Sequence, residues 1–428
     1  MKIAITSDIY YPMINGVAVF AHNLANGLAQ KGHKVMVICP SFNGKHYRVR
    51  DKKTGVTTVY LRSIRFPFYP DQINTVPDKK KMLGVELPRL VYRKGIWMSP
   101  SPYREIKRAL GMFRPDIIHN QTAETISLAT LRYARKYNVP LVSTGHAYPD
   151  NITGQFRILK PIKRPVDAVL RAYMASFLEH SEYATMPTEM AIDDLVPKNR
   201  RRFKVRVEAL SNGVDLSSFR PGKAKKKIYE KYGIDSRVPV ALYVGRVDPE
   251  KSIKYVVEAF ALSLKSGLEA QLVIVGDGTD KVKLVELAEE LGIAEKVKFL
   301  GKIVAPELME IYRIGDVFVT ASETETQGIV LIEAAATGLP LIAVDAGAVG
   351  ELCQNKRNGF LCKPKDVKGL AKAMVKILGD EDLQEKFGME SIEIAKMHDL
   401  NRTLERFEEI YEAAVELKNK KNKDIWAE

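Results

Sequence analysis

The stretch "DVFVTASETETQGIVLIEAAATGLPLIAVD", residues 316–345, decides how this chain folds. "VFVTAS" is short and apolar enough for a buried strand, and "ETETQG" is a polar loop. "IVLIEAAATG" then runs as a helix closed by Gly338 ahead of Leu339 and Pro340, and "LPLIAVD" supplies the next strand. Strands separated by helices predict a parallel sheet covered on both faces.

Two of its five carboxylates, Glu325 and Glu333, stand on either side of the helix start, and carboxylates are rarely buried without a partner. Glu325 falls in the loop, and Glu333 falls about a turn and a half into the helix. Thr326, Gln327 and Gly328 lie where the first helical N–H groups lack intrahelical partners, so an anion bound there meets donors. Without context, Glu333 also reads as a surface position on an amphipathic helix, and Glu325 as a loop carboxylate beside a helix start.

Outward from this unit the rhythm repeats. "VPVALYVG" (238–245), "AQLVIVG" (270–276) and "KVKFLG" (296–301) read as strands, with helices around 252–266, 280–291, 305–314 and 328–337. The first half does the same. "KIAIT" (2–6) precedes a helix carrying Val17, Phe20, Ala21, Leu24 and Leu28, and "GHKVMVIC" follows. "VTTVYL" (56–61), "DIIH" (116–119) and "VPLVST" (139–144) continue the strands, with helices around 103–113 and 123–137.

Two doubly wound α/β domains are expected, at 1–205 and 206–399, joined near a basic, loop-like stretch from 198 to 237. Helical patterns at 367–378, 381–397 and 399–418 close the chain, and the last could end the second domain or pack back on the first. The tail "KNKKNKDIWAE" reads as frayed. Ligands of open α/β sheets bind outside the carboxyl ends of the strands, so two such domains with facing strand ends would make a cleft.

"GRVDPEK" places Arg246 and Lys251 between a strand and a helix start. Two cations beside free helical N–H groups suit a diphosphate, although taken alone they read as a solvated loop. The order of a Walker P-loop is absent. In the first half, Asn15-Gly16 forms a tight turn before a helix, which lets main chain approach a phosphate or sugar. His146 sits just past a strand end as a candidate general base, sugar ligand or structural hydrogen-bonder, and His119 is a second strand-end histidine.

Together these residues resemble a known family. Glu325 and Glu333 with Gly328 between them look like the Glu-x(7)-Glu signature of retaining glycosyltransferases of family 4. "GRVDPEK" resembles their Gly-Arg-x(4)-Lys loop, "SNGVDLSSFRP" (211–221) their Asn-Gly-Val-Asp segment, and "VGDGTDK" their Gly-Asp-Gly turn. One departure is Asn15-Gly16, where many members carry Gly-Gly.

The resemblance implies a GT-B fold, with acceptor on the N-terminal domain and a nucleoside-diphosphate sugar on the C-terminal one. Arg246 and Lys251 would hold the diphosphate, Glu325 with Gln327, Gly328 and Ile329 the transferred sugar, and Glu333 the ribose. Gly301, Lys302 and Ile303 would line the base, Asn15-Gly16 would touch the phosphates, and His146 would sit beside the sugar. It also implies front-face transfer with retained configuration and neither metal nor cofactor, cationic side chains and helix dipole serving instead.

Charge bears on the acceptor. The chain carries a formal +14, but residues 1–220 hold 35 Lys and Arg against 17 Asp and Glu, while the rest is slightly acidic. An anionic partner is expected on the first half, either a lipid surface or nucleic acid, with solubility and no partner as the plainer alternative. In "FRILKPIKRPVDAVLRAYMASFLEHS", Val166, Val169, Leu170, Tyr173, Met174 and Phe177 share a helical face, preceded by Arg157, Lys160, Lys163 and Arg164. That combination suits an anionic lipid surface, and a core helix beside a basic loop is the plainer reading. "RSIRFPFYPDQINTVPDKKKMLG" (62–84) interleaves basic and aromatic residues in the same half.

A membrane lipid acceptor is therefore expected, as in bacterial diacylglycerol and phosphatidylinositol glycosyltransferases, with glucose or mannose transferred and no nucleic acid bound. A soluble or polysaccharide acceptor, a nucleotide-sugar epimerase of the same fold and a non-catalytic nucleic-acid-binding protein are the alternatives.

"MKIAITSDIYYP" is too briefly apolar for a signal-peptide core, and no uncharged run approaches the ~20 residues of a membrane span. A cytoplasmic protein, peripheral on the inner membrane face, is expected. The odd count of three cysteines, Cys39, Cys353 and Cys362, reads as reduced structural thiols.

Overall fold

A computed structural model of the 428-residue chain describes residues 1–13, 15–65, 97–146, 153, 161–196 and 203–427. Arg157, Lys160 and most of the 62–84 stretch lie outside the described residues. The chain forms two compact units, Met1–Asn212 with Asn401–Glu428, and Gly213–Leu400.

The first unit contains β1 (Lys2–Thr6), β2 (Lys34–Pro40), β3 (Tyr47–Arg50), β4 (Thr57–Leu61), β5 (Ile64–Arg65), β6 (Trp97–Met98), β7 (Ile117–Asn120), β8 (Leu141–Thr144), β9 (Tyr183–Met186) and β10 (Arg206–Ala209). Eight of these form one sheet in the order β10-β9-β8-β7-β1-β2-β4-β3, and β5 pairs with β6 separately. All neighbours in the large sheet run parallel except the edge pair β3 and β4. β3 carries exposed Arg48 and Arg50, charges that keep an edge from pairing with another chain.

β10 pairs in register with β9 and completes the first sheet. The units therefore meet at Asn212 and Gly213 rather than at 205 and 206. The stretch from 198 to 237 is not simply a linker either, because it contains β10 and the helix Lys226–Tyr232. "RVEA" is too short and mixed to announce a strand on its own.

In the second unit, β11 (Val240–Val244), β12 (Gln271–Val275), β13 (Val297–Gly301), β14 (Val317–Val319), β15 (Leu341–Val344) and β16 (Gly359–Cys362) form an all-parallel sheet ordered β13-β12-β11-β14-β15-β16. Ala241 and Tyr243 face one apolar cluster with Val256, Val257 and Phe260, while Val240, Leu242 and Val244 face another with Phe318, Leu331 and Ile332. Alternation along a strand buried on both faces explains why these strands read as unbroken apolar runs.

Both sheets start in the middle and reverse direction. The reversal falls between β1 and β7 in the first and between β11 and β14 in the second. At such a switch point the connections leave to opposite faces and open a crevice at the carboxyl ends.

The helix Leu400–Ala427 is continuous and belongs, from Asn401 onward, to the first unit. The tail read as frayed is thus helical, and Lys418 within it pairs with Glu182 at 3.0 Å. Phe407 packs on Phe20 and on His119, with ring centroids 5.9 and 5.0 Å apart. Gly27 lets the helix come close, since a Cβ there would come within 2.4 Å of the Leu404 side chain and force it to move. Arg406 grips Glu208 with two hydrogen bonds of 2.6 Å, which fastens the helix to β10.

Candidate functional site

The sequence-predicted residues fall into one set in each unit. In the second unit, β11 ends at Val244 and its loop carries Arg246 and Lys251. Arg246 is held by Asp248, at 2.5 Å, and by Glu250. Asp248, only 6% exposed, also accepts from the backbone N–H and the hydroxyl of Thr279, at 2.9 and 3.1 Å. The loops after β11 and β12 are thereby fastened together, and Arg246 has a fixed base.

Lys251 reaches across to the loop after β14. Its Nζ donates to Glu325 Oε1 at 2.6 Å, and both side chains are about one-sixth exposed at 15% and 16%. Burial works against the Glu325 carboxylate, but Lys251, Ser322 and Arg246 outweigh it and hold its pKa below the ordinary value. The carboxylate is charged at neutral pH and able to accept from a hydroxyl.

Gly328 caps the helix Ile329–Ala336 at φ +81°, and no side chain caps that helix end. That φ favours glycine, and a Cβ would also come within 2.5 Å of the Leu331 side chain and force it to move. Gln327, 2% exposed, lies just outside the helix start and Ile329 is its first residue.

Glu333 lies further along the helix, where Tyr312 donates to its Oε2 at 2.6 Å. Burial pushes its carboxyl up to about 7, against the pull of that hydrogen bond. Gly301 ends β13 and its carbonyl accepts from Gly276 N–H at 2.9 Å. Lys302 beside it is lowered to about 8 by burial, with Asp277 opposing, and Ile303 packs on the core.

The first unit holds the other set. Asn15 Oδ1 accepts from Ala18 N–H at 2.9 Å and caps the helix Gly16–Gln30, so the departure from Gly-Gly has a structural use. His146 follows β8, packs on Phe20 at 5.1 Å, and pairs through Nε2 with Gln121 Oε1 at 2.8 Å. Burial drops its pKa to about 3. It is neutral around pH 7, so it offers hydrogen bonds rather than proton uptake.

His119 takes a structural role, with Nδ1 2.8 Å from Tyr411 Oη and Nε2 2.7 Å from Thr144 Oγ1. All three cysteines are buried and free. Among the described residues no group of His, Cys, Asp or Glu could hold a metal ion, and no helix is long and apolar enough to cross a membrane.

Sequence reasoning missed Asp248, Tyr312 and Gln121. Tyr312 and Gln121 act through partners distant in sequence, and Asp248, though it lies in the "GRVDPEK" loop, is fixed by Thr279 of another loop. Gln121 is 1% exposed, and its Nε2 has no hydrogen-bond partner among the described residues. A buried donor left unpaired is unusual enough to mark a place where a ligand oxygen fits.

Comparison with known proteins matches residues 14–218 to the family described as Glycosyltransferase Family 4, and residues 224–393 to Glycosyl transferases group 1. An alpha-monoglucosyldiacylglycerol synthase of Streptococcus pneumoniae is 27% identical over 373 residues, 84% of this chain and 75% of that protein. A GDP-mannose-dependent alpha-mannosyltransferase of Mycobacterium tuberculosis is 28% identical over 364 residues, 84% of this chain and 83% of that protein. Sucrose-phosphate synthase from Thermosynechococcus elongatus superposes with a TM-score of 0.74 at 19% identity, covering 96% of this chain and 98% of that one. The two Rossmann-like units are those of the GT-B fold.

Proposed function

Because this chain is a glycosyltransferase and belongs to glycosyltransferase family 4, we propose that it moves a hexose, glucose or mannose, from a nucleoside-diphosphate sugar to a membrane lipid such as diacylglycerol or a phospholipid. The observation that carries the donor side is the Lys251–Glu325 pair, which sets a cation for phosphate against a carboxylate for sugar hydroxyls at the β11/β14 switch point. Arg246 adds a second cation on the same loop, and the uncapped helix start at Gly328 adds N–H donors.

In this reading the bond between the anomeric carbon and the phosphate oxygen breaks, and its electron pair leaves on the diphosphate. The acceptor oxygen bonds to the carbon from the same face, so the configuration is retained. Its proton passes to the departing phosphate oxygen. Arg246 and Lys251 stabilise the charge that grows there, and Glu333 holds the ribose. The cationic side chains serve where a metal would otherwise neutralise the leaving group.

The lipid acceptor draws support from the first unit. The helix Lys163–Leu178 leaves Val169 69% and Tyr173 40% exposed, with Ile162 ahead of it 51% exposed, beside Lys163 and Arg164. An apolar face flanked by cations suits an anionic membrane surface, where the protein would sit peripherally. The similarity to an alpha-monoglucosyldiacylglycerol synthase points the same way.

Screening UDP-, GDP- and ADP-sugars for protection against thermal unfolding identifies the donor. That donor is then supplied with phosphatidylglycerol vesicles containing diacylglycerol. A labelled glycolipid in the organic phase is expected, and transfer only to water-soluble acceptors would overturn the lipid assignment.

A further inference from the structure

Tyr312 ends the helix Glu307–Tyr312 with its ring wholly buried. Phe219 meets it edge-on at 5.6 Å and Phe318 lies at 6.4 Å, so the ring has one available place. Its hydroxyl reaches Glu333 Oε2 at 2.6 Å and the Val330 carbonyl at 3.4 Å. Among the described residues Glu333 Oε1 makes no hydrogen bond, and no cation pairs with this carboxylate.

We propose that Tyr312 is a positioning residue for the donor: its immobile hydroxyl fixes one oxygen of Glu333 so that the other is turned to the ribose hydroxyls of the nucleotide. The role rests on the assignment of Glu333 to the ribose. A carboxylate on a flexible stem loses side-chain freedom when it binds a ligand, and a hydrogen bond already made from a packed ring removes part of that loss in advance.

Electrostatics assign the direction of this bond. Burial and the neighbouring Glu333 charge push the Tyr312 hydroxyl well above its usual range, so the proton stays on the phenol and Tyr312 donates. The groups that face Glu333 are few. Tyr312 comes from its helix, and Tyr243 of β11 lies beside Tyr312, with burial supplying the rest. A bond that favours the charged carboxylate therefore helps keep it ready to accept.

The test is nucleotide affinity as a function of pH. UDP, GDP and ADP share the ribose, so whichever protects the full chain serves as probe, measured by calorimetry between pH 6 and 9. Tyr312→Phe keeps the packed ring and should weaken binding about tenfold at pH 7, with the pH midpoint of affinity moved up by about one unit. The deficit should shrink toward pH 9, where Glu333 is charged in either protein, to the smaller loss caused by leaving its side chain unheld.

An unchanged affinity at pH 7, or a loss by the same factor at every pH, would overturn the proposal. Glu333→Gln separates the two levels. If it weakens the nucleotide while Tyr312→Phe does not, only the positioning role fails. If Glu333→Gln binds like the parent, the ribose assignment fails and takes the proposal with it.

Discussion

Lys251 Nζ and Glu325 Oε1 lie 2.6 Å apart although 74 residues separate them in sequence, and the contact joins the loops after β11 and β14. Breaking one half of such a partly buried pair leaves the Glu325 charge with only Ser322 and Arg246 to offset it. Lys251→Met should therefore destabilise the protein by roughly 3 kcal/mol in urea unfolding, and adding Glu325→Gln should return part of that loss. Additive losses would show that the two charges do not couple. Glu325→Gln alone should lower transfer by roughly 10²–10³-fold with an unchanged circular dichroism spectrum.

His146 should leave no mark on the pH profile. With its pKa lowered to about 3 by burial, it is neutral from pH 5 to 9. The rate profiles of the parent and of His146→Asn should differ in height but not in shape. A limb near pH 6.5 that vanishes in the variant would show that the imidazole titrates during turnover.

The bidentate grip of Arg406 on Glu208 should make the last helix acid-sensitive. The Arg406 hydrogen bonds, against burial and with Tyr183 assisting, hold the Glu208 carboxyl below its usual value. A depressed carboxylate contributes stability that is complete above its unfolded pKa and is lost as pH falls through the folded one. Protection factors for amide exchange at residues 401–418 should fall below about pH 4, the ordinary carboxylate range. In Arg406→Met the same helix should exchange faster at pH 7, and an unaltered rate there would contradict the link.

Vesicle binding tests the exposed face of the helix Lys163–Leu178. Val169→Asp with Arg164→Glu should lower binding to phosphatidylglycerol vesicles while leaving the melting temperature within a few degrees, since both positions are exposed. Binding by the parent should weaken as salt rises. Retention of the full affinity by the double variant would move the membrane contact elsewhere.

What the sequence made legible was local. The periods of the strands and helices, with Gly338, Leu339 and Pro340 as punctuation, separated Glu325 in its loop from Glu333 in its helix. Tertiary partners were not legible. Nothing near Glu333 announces Tyr312, and nothing near His146 announces Gln121, because both pairs meet only after distant segments pack. β10 escaped because four mixed residues carry no period, and its place as an edge neighbour of β9 is decided by the sheet. The tail looked frayed for a similar reason: its composition is polar, and Lys418 is tied down by Glu182 on a different element.

The helix that fills the groove beside Gly27, Phe20 and His119 is made after the second unit. During synthesis the whole of the second unit emerges between the first unit and this missing part of its core, a delay of roughly 10–40 s at 5–20 residues per second. Over that interval the groove stands open, lined by apolar rings and shaped for one particular segment. The nascent first unit is thus a receptor waiting for a ligand encoded in its own chain, and residues 401–427 supplied as a separate peptide should complement a truncated first unit.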